Sequence, residues 1–251
     1  MAELTATQAR SSAQMSFFFW MAAAMTCVIY GGFGISYWAP MATGSLRPVA
    51  PVVHFHGLFY FLWMVLLVAQ PTLIARGNVA LHRSMGMVGV MLGTGLVIFG
   101  SIVTVLNVKA LMVTPEGLPE FWYPLMWLSV FALVNFGILF TLAIKNVRDS
   151  AAHKRYMMLA TVAFIGAGIN RFISFVLNIG PTEFSPFWLI YLATDVFIVA
   201  LVAYDFRTLG KPHRATLGGS GLIILTQVLH PIVVHTAWWI DATHWMGNLA
   251  V

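Results

Sequence analysis

Pro51–Ala75 reads PVVHFHGLFYFLWMVLLVAQPTLIA, twenty-five residues without a lysine, arginine, aspartate or glutamate. At 1.5 Å per residue, a helix of this length exceeds the roughly 30 Å of hydrocarbon in a bilayer. The run does not alternate polar and apolar residues as a barrel strand would, and in lipid a helix satisfies its own backbone. A membrane-spanning helix is therefore expected. Pro71 marks a point where it could end a turn early.

The same reading applied outward gives seven spans, at 16–38, 51–75, 85–107, 124–144, 156–179, 186–206 and 219–240. Turn and breaker residues fall near their ends: Pro40, Pro51, Pro124, Pro181, Pro186 and Gly218-Gly219. Hydrophobic residues make up 60% of the 251 and charged residues 8%, where soluble domains carry about 25% charged residues. A water-soluble fold is excluded. The linkers are too short for a second domain, so the expected architecture is one all-α, seven-transmembrane-helix bundle over residues 1–251. The opening MAELTATQARSSAQMS lacks a basic region followed by a cleavage site, so no cleavable signal peptide is expected. Cys27 is the single cysteine, which removes disulfides and cysteine-built metal sites.

Basic residues concentrate in alternate loops. Arg76, His82 and Arg83 follow span two; Lys145, Arg148, Lys154 and Arg155 follow span four; Arg207, Lys211 and Arg214 follow span six. The opposite loops, with Arg47, Lys109, Glu116, Glu120 and Glu183, carry little net charge. The positive-inside rule then places the N-terminus in the cytoplasm and the C-terminus outside, in a bacterial inner membrane. The net charge of +5 is a topology signal facing anionic lipid, not a nucleic-acid footprint. Phe121-Trp122-Tyr123 reads as an interfacial aromatic anchor.

Function has to be sought among polar groups inside the spans, since a charge at bilayer depth costs roughly 2.5–3.5 kcal/mol even on the gentlest scales. Span two carries His54 and His56, and His56, Trp63 and Gln70 repeat at seven-residue spacing on one face. Span five carries Asn170, Arg171, Ser174 and Asn178; span six carries Tyr191 and Asp195; span seven carries Gln227, His230, Pro231 and His235. Arg171 and Asp195 lie at matching heights, which predicts an ion pair. Pro231 predicts a kink in span seven. An outer-leaflet site of His54 or His56 with His230 and His235, beside Asp195 and Arg171, is the expected functional centre.

Two chemistries fit such a set. A b-type haem takes two facing imidazoles and basic groups for its propionates. His56 with His235 and Arg171 is one set, and His82 with His153, beside Arg83 and Arg155, is a second at the cytoplasmic end. Such centres imply a redox role, with a membrane electron-transfer partner, quinone or lipid substrate. Alternatively, His54, His56, His230, His235 and Asp195 supply ligands for zinc and a hydrolytic site. Seven-span zinc hydrolases of the ceramidase and adiponectin-receptor type also pair a span-two histidine with two in span seven. This chain departs from them in the five-residue spacing of His230 and His235 and in lacking a span-three aspartate. A transporter, with Thr94 and Ser101 on one face of span three, or an accessory subunit of a membrane complex is the non-catalytic alternative. The absence of lysine from span seven argues against a retinal protein.

The cytoplasmic hairpins ARGNVALHRSMG and IKNVRDSAAHKRYMM echo each other, by duplication or by convergence under positive-inside pressure. HFHG at the start of span two, Gln70, HR-x-x-G at His82–Gly86 and H-K-R-x-M at His153–Met157 resemble bacterial polytopic inner-membrane families without an established activity. The resemblance covers about residues 50–175 and implies a helical membrane protein whose histidines matter.

Overall fold

The structure, a computed structural model, describes residues 2–113, 117–178 and 186–249, with side chains from residue 17 onward. Helix α1 (Ala2–Phe33) continues through a π-helical turn (Gly34–Trp38) into α2 (Ala39–Ala42). There follow α3 (Pro51–Ala75), α4 (Val79–Met112), α5 (Trp122–Lys145), α6 (Ser150–Val176), α7 (Phe187–Leu209), α8 (Arg214–Val233) and α9 (Ala237–Asn248). Seven of the helical stretches are long and apolar enough to cross a membrane, and the chain is a multi-pass seven-helix bundle.

Several boundaries differ from the expected ones because polar residues begin helices that a hydropathy reading starts late. Residues 2–16 lack glycine and proline, and α1 begins at Ala2. Asn78 caps α4, its side-chain oxygen accepting from Leu81 N–H at 3.1 Å. Asp149 caps α6, accepting from the N–H groups of Ala151 and Ala152. Those bonds, Ala152's foremost, hold the Asp149 carboxyl below its ordinary range. Helix α3 runs through Pro71 to Ala75. The expected span at 219–240 is corrected most: α8 starts at Arg214 and stops at Val233, two residues past Pro231. Thr236 then caps a separate helix, α9. The proline sits near a helix end and not at a kink inside a longer helix. The expected end of span five at 179, with Glu116 and Glu183, lies outside the described residues.

Helix α6 is central, packing on α1, α5, α7 and α8. Its small residues let neighbours approach: a Cβ on Gly168 would meet the Val28 carbonyl at 3.0 Å, and one on Gly32 would strike the Gly168 carbonyl. Helix α3 packs on α1 and α4, and α4 on α5, closing a ring. At the end opposite the basic loops, α9 packs on the end of α4 and the start of α5. Trp239 Nε1 donates to the Tyr123 carbonyl at 2.8 Å, while Trp238 and Trp245 project outward, 64% and 62% exposed. Such paired indoles suit a membrane interface.

A buried ion pair holds the basic end. Arg155 and Asp205 are 2% and 0% exposed. Arg155 donates to Asp205 Oδ1 through Nε at 2.9 Å and through Nη2. Asp205 Oδ2 accepts from His213 N–H at 2.9 Å and Thr216 Oγ1 at 2.6 Å. One carboxylate thus ties α6, α7 and the start of α8. Truncating one partner of a buried pair costs about 3–5 kcal/mol, because the other charge stays behind. Asp205→Ala should therefore lower unfolding stability in detergent by about that much, and adding Arg155→Met should recover most of it. Equal stability of Asp205→Ala and wild type would contradict this assignment.

Candidate functional site

A cavity of about 450 Å³ lies towards the end opposite the basic loops, walled by α1, α3, α4, α5 and α6. Small residues make the room. Gly100, Ala132, Ala163, Gly166 and Ala167 all line it. A Cβ on Gly100 would meet Leu133 at 2.6 Å and the His56 ring at 3.5 Å. Phe33, Phe61, Phe136, Phe164 and Trp122 supply the aromatic wall. Polar groups on the wall include His56, Tyr60, Thr104, Asn107, Ser129, Asn170 and Arg171.

Helix geometry puts two of these at one height. His56 stands five residues into α3 from Pro51, and Arg171 five residues before the end of α6 at Val176. Each is about 8 Å inside its helix end at 1.5 Å per residue. The Arg171 guanidinium lies 3.9 Å from the centroid of Phe33, and its Nη1 donates to the Ala167 carbonyl at 2.7 Å. The tight crossing at Gly32 and Gly168 is what brings Phe33 beneath it. His56 Nδ1 is buried and without a hydrogen-bond partner. One turn deeper, the Tyr60 hydroxyl donates to the Phe164 carbonyl at 3.0 Å, and its ring packs on Phe164.

The expected Arg171–Asp195 ion pair does not form. Among the described residues the ion pairs are Arg155–Asp205 and Arg214–Asp149. Asp195 instead accepts from Gln227 Nε2 at 2.9 Å. Equal height did not bring the two together, because Arg171 points to the α1 side of α6 and Asp195 to the α8 side of α7.

The span-two and span-seven histidines also remain apart. His54 faces Tyr37, with its Nδ1 hydrogen-bonded to that hydroxyl. His230 is buried between Phe187 and Tyr191, its Nε2 toward the Pro124 carbonyl at 3.3 Å. His235 is exposed at the bend between α8 and α9. Of these histidines, His56 alone lines the cavity. Among the described residues, no three His, Cys, Asp or Glu side chains form a group able to hold a metal. Thr94 and Ser101 are exposed on the outside of α4 and line no path.

At the basic end, His153 Nδ1–H donates to the Ala143 carbonyl at 2.9 Å. Gln70, its amide turned to satisfy both neighbours, donates to His82 Nδ1 at 2.6 Å and accepts from Gly86 N–H at 3.2 Å. The expected stripe of His56, Trp63 and Gln70 does face inward: Trp63 Nε1 donates to Thr161 Oγ1 at 3.1 Å. Arg155, expected beside a haem propionate, is consumed by Asp205.

The sequence reading missed Tyr60 and Phe33 as site residues. The tyrosine sits one turn from His56, and that spacing was the available signal. No family model, curated protein or solved structure matches the chain.

A cation over an aromatic face is worth roughly 0.5–2 kcal/mol. A double-mutant cycle of Phe33→Leu and Arg171→Met, read by unfolding in detergent, should give a coupling of about that size. Strict additivity would show that the stacking contributes nothing.

Proposed function

We propose that the protein binds a hydrophobic molecule with an oxygen-bearing head, a quinone or an acidic lipid, in the outer cavity. The observation that carries this reading is Arg171. It brings a guanidinium into the bundle with a ring beneath it and no carboxylate in reach among the described residues. Arginine forks match carboxylate, phosphate and carbonyl oxygens, and a charge at this depth favours any ligand that compensates it. His56, whose Nδ1 lacks a partner, is the second group for the head. The aromatic wall takes the apolar body. The volume falls within the roughly 300–1,000 Å³ of small-molecule sites. In this reading the membrane is a bacterial inner membrane, with the cavity facing its outer leaflet.

A bis-histidine haem or a zinc centre in the cavity would need further ligands beside His56, and among the described residues no other His, Cys, Asp or Glu lines it. One observation favours a second reading, a b-type haem or metal at the basic end. The Nδ1 atoms of His82 and His153 are both tied, so the Nε2 atoms are those left to coordinate. A Soret band that disappears in His82→Ala and in His153→Ala would support it.

Mass spectrometry of an organic extract of the purified protein tests the first reading. A quinone or acidic lipid should accompany wild type in stoichiometric amount and fall about tenfold or more in Arg171→Met, the loss of a charge-assisted hydrogen bond. His235→Ala should leave it unchanged. A redox difference spectrum separates quinone from lipid. Equal content in wild type and Arg171→Met would overturn the proposal.

A further inference from the structure

Beside the large cavity lies a much smaller space of about 30 Å³ between α5, α6, α7 and α8. Leu128, Ala132, Ala163 and Gly166 line both, so the two spaces adjoin. The wall of the smaller one is mainly apolar, but several polar side chains reach it within the membrane-spanning bundle. Asn135, Tyr191, Thr194, Thr226 and Gln227 all reach it. Asn135 is 3% exposed; its Nδ2 donates to Thr226 Oγ1 at 2.9 Å, while its Oδ1 has no partner. The threonine hydroxyls are already spent, Thr226 on the Ile223 carbonyl at 2.7 Å and Thr194 on the Ile190 carbonyl at 2.8 Å. An unsatisfied buried amide oxygen on a residue that lines such a space calls for water, and one water needs roughly 10–15 Å³. The pocket has room for about two.

Gln227, which lines this pocket, donates to the half-buried Asp195, which does not line it. Asp195 stands eight residues into α7 from Phe187, roughly 12 Å from the helix end. Its neighbours Leu192, Val196 and Val199 face lipid, each at least 60% exposed. The ionisable groups around it are few. Tyr191 lies one turn away on α7; α8 presents His230, turned toward Pro124; α6 presents Arg171, turned onto Phe33. Helix α5 contributes Asn135 and has no titratable residue at this height. Toward the basic end, Leu139, Leu159, Ile198, Leu201 and Ile223, none more than 4% exposed, fill the bundle.

We propose that the small pocket holds ordered water and makes Asp195 a proton site in exchange with the outer cavity. The transfer moves one proton from a hydronium ion to a carboxylate oxygen, leaving water and a neutral carboxyl, with no change in electron count. The pocket supplies the water, and the packed leucines and isoleucines close the route to the other side. An intramembrane carboxyl with water on one side only is the arrangement that proton relays use. The proposal does not depend on which molecule the large cavity binds.

Infrared difference spectroscopy of the full chain in nanodiscs tests it, with the carboxyl C=O band assigned by Asp195→Asn. In wild type this band should titrate with bulk pH and shift promptly in D₂O. In Asn135→Leu, which removes the orphan oxygen and fills the pocket, the shift should be about tenfold slower. Ala132→Leu, which narrows the junction of the two spaces without removing a hydrogen bond, should slow it likewise and serves if the first variant does not fold. A band that never titrates, or exchange as fast as wild type in the folded variants, would overturn the proposal.

Discussion

The Arg155–Asp205 pair is the interaction from which the rest of this molecule is best understood. It places two opposite charges in a fully buried position and satisfies the carboxylate from both sides, by guanidinium on one oxygen and by His213 N–H and Thr216 hydroxyl on the other. Buried pairs add little net stability over apolar packing, but their geometry is exacting and a lost partner is costly. Here that geometry fixes α6 against α7 and the first turn of α8. Asp205 is buried and saturated, and the half-buried Asp195 is held by Gln227, so neither carboxyl pairs with the second arginine of α6.

That second arginine is the group on which the proposed ligand site rests. Arg171 shares a continuous helix with Arg155, so the clamp at one end also sets the position of the guanidinium toward the other. Its immediate neighbour is Phe33, brought close by glycines at the α1–α6 crossing. A ring face offers a cation modest attraction without neutralising it. The cavity in front of it is lined by apolar rings and a few polar groups at one level, which suits an amphiphile entering with its head toward Arg171 and His56. In the proposal, the adjoining smaller pocket extends the same logic toward Asp195, with water in place of ligand.

Much of this was legible in the residues, and the rest was hidden for identifiable reasons. The seven spans follow from hydropathy and length, but counting to the expected span end at 179 matches Arg171 with Asp195, and its common height with His56 emerges only from the observed end of α6 at Val176. The partner of Arg171 did not follow, because height along a helix says nothing of direction around it. Arg155 reads as one of several loop cations until Asp149 is recognised as a cap that starts α6 at Ser150. Pro231 reads equally well as a kink or as a residue close to a helix end, and the Thr236 cap decides between them. The cavity itself is a deficit of volume where Gly100, Ala132 and Ala163 face one another, and residue spacing within single helices does not reveal which helices meet.

A high-resolution experimental structure of the protein taken from its native membrane, without added lipid or quinone, tests the central claim most directly. The account predicts elongated density in the outer cavity, with oxygen atoms of its head at hydrogen-bond distance from the Arg171 guanidinium, roughly 2.7–3.2 Å. An empty cavity with Arg171 turned to a protein carboxylate such as Asp195 would contradict it.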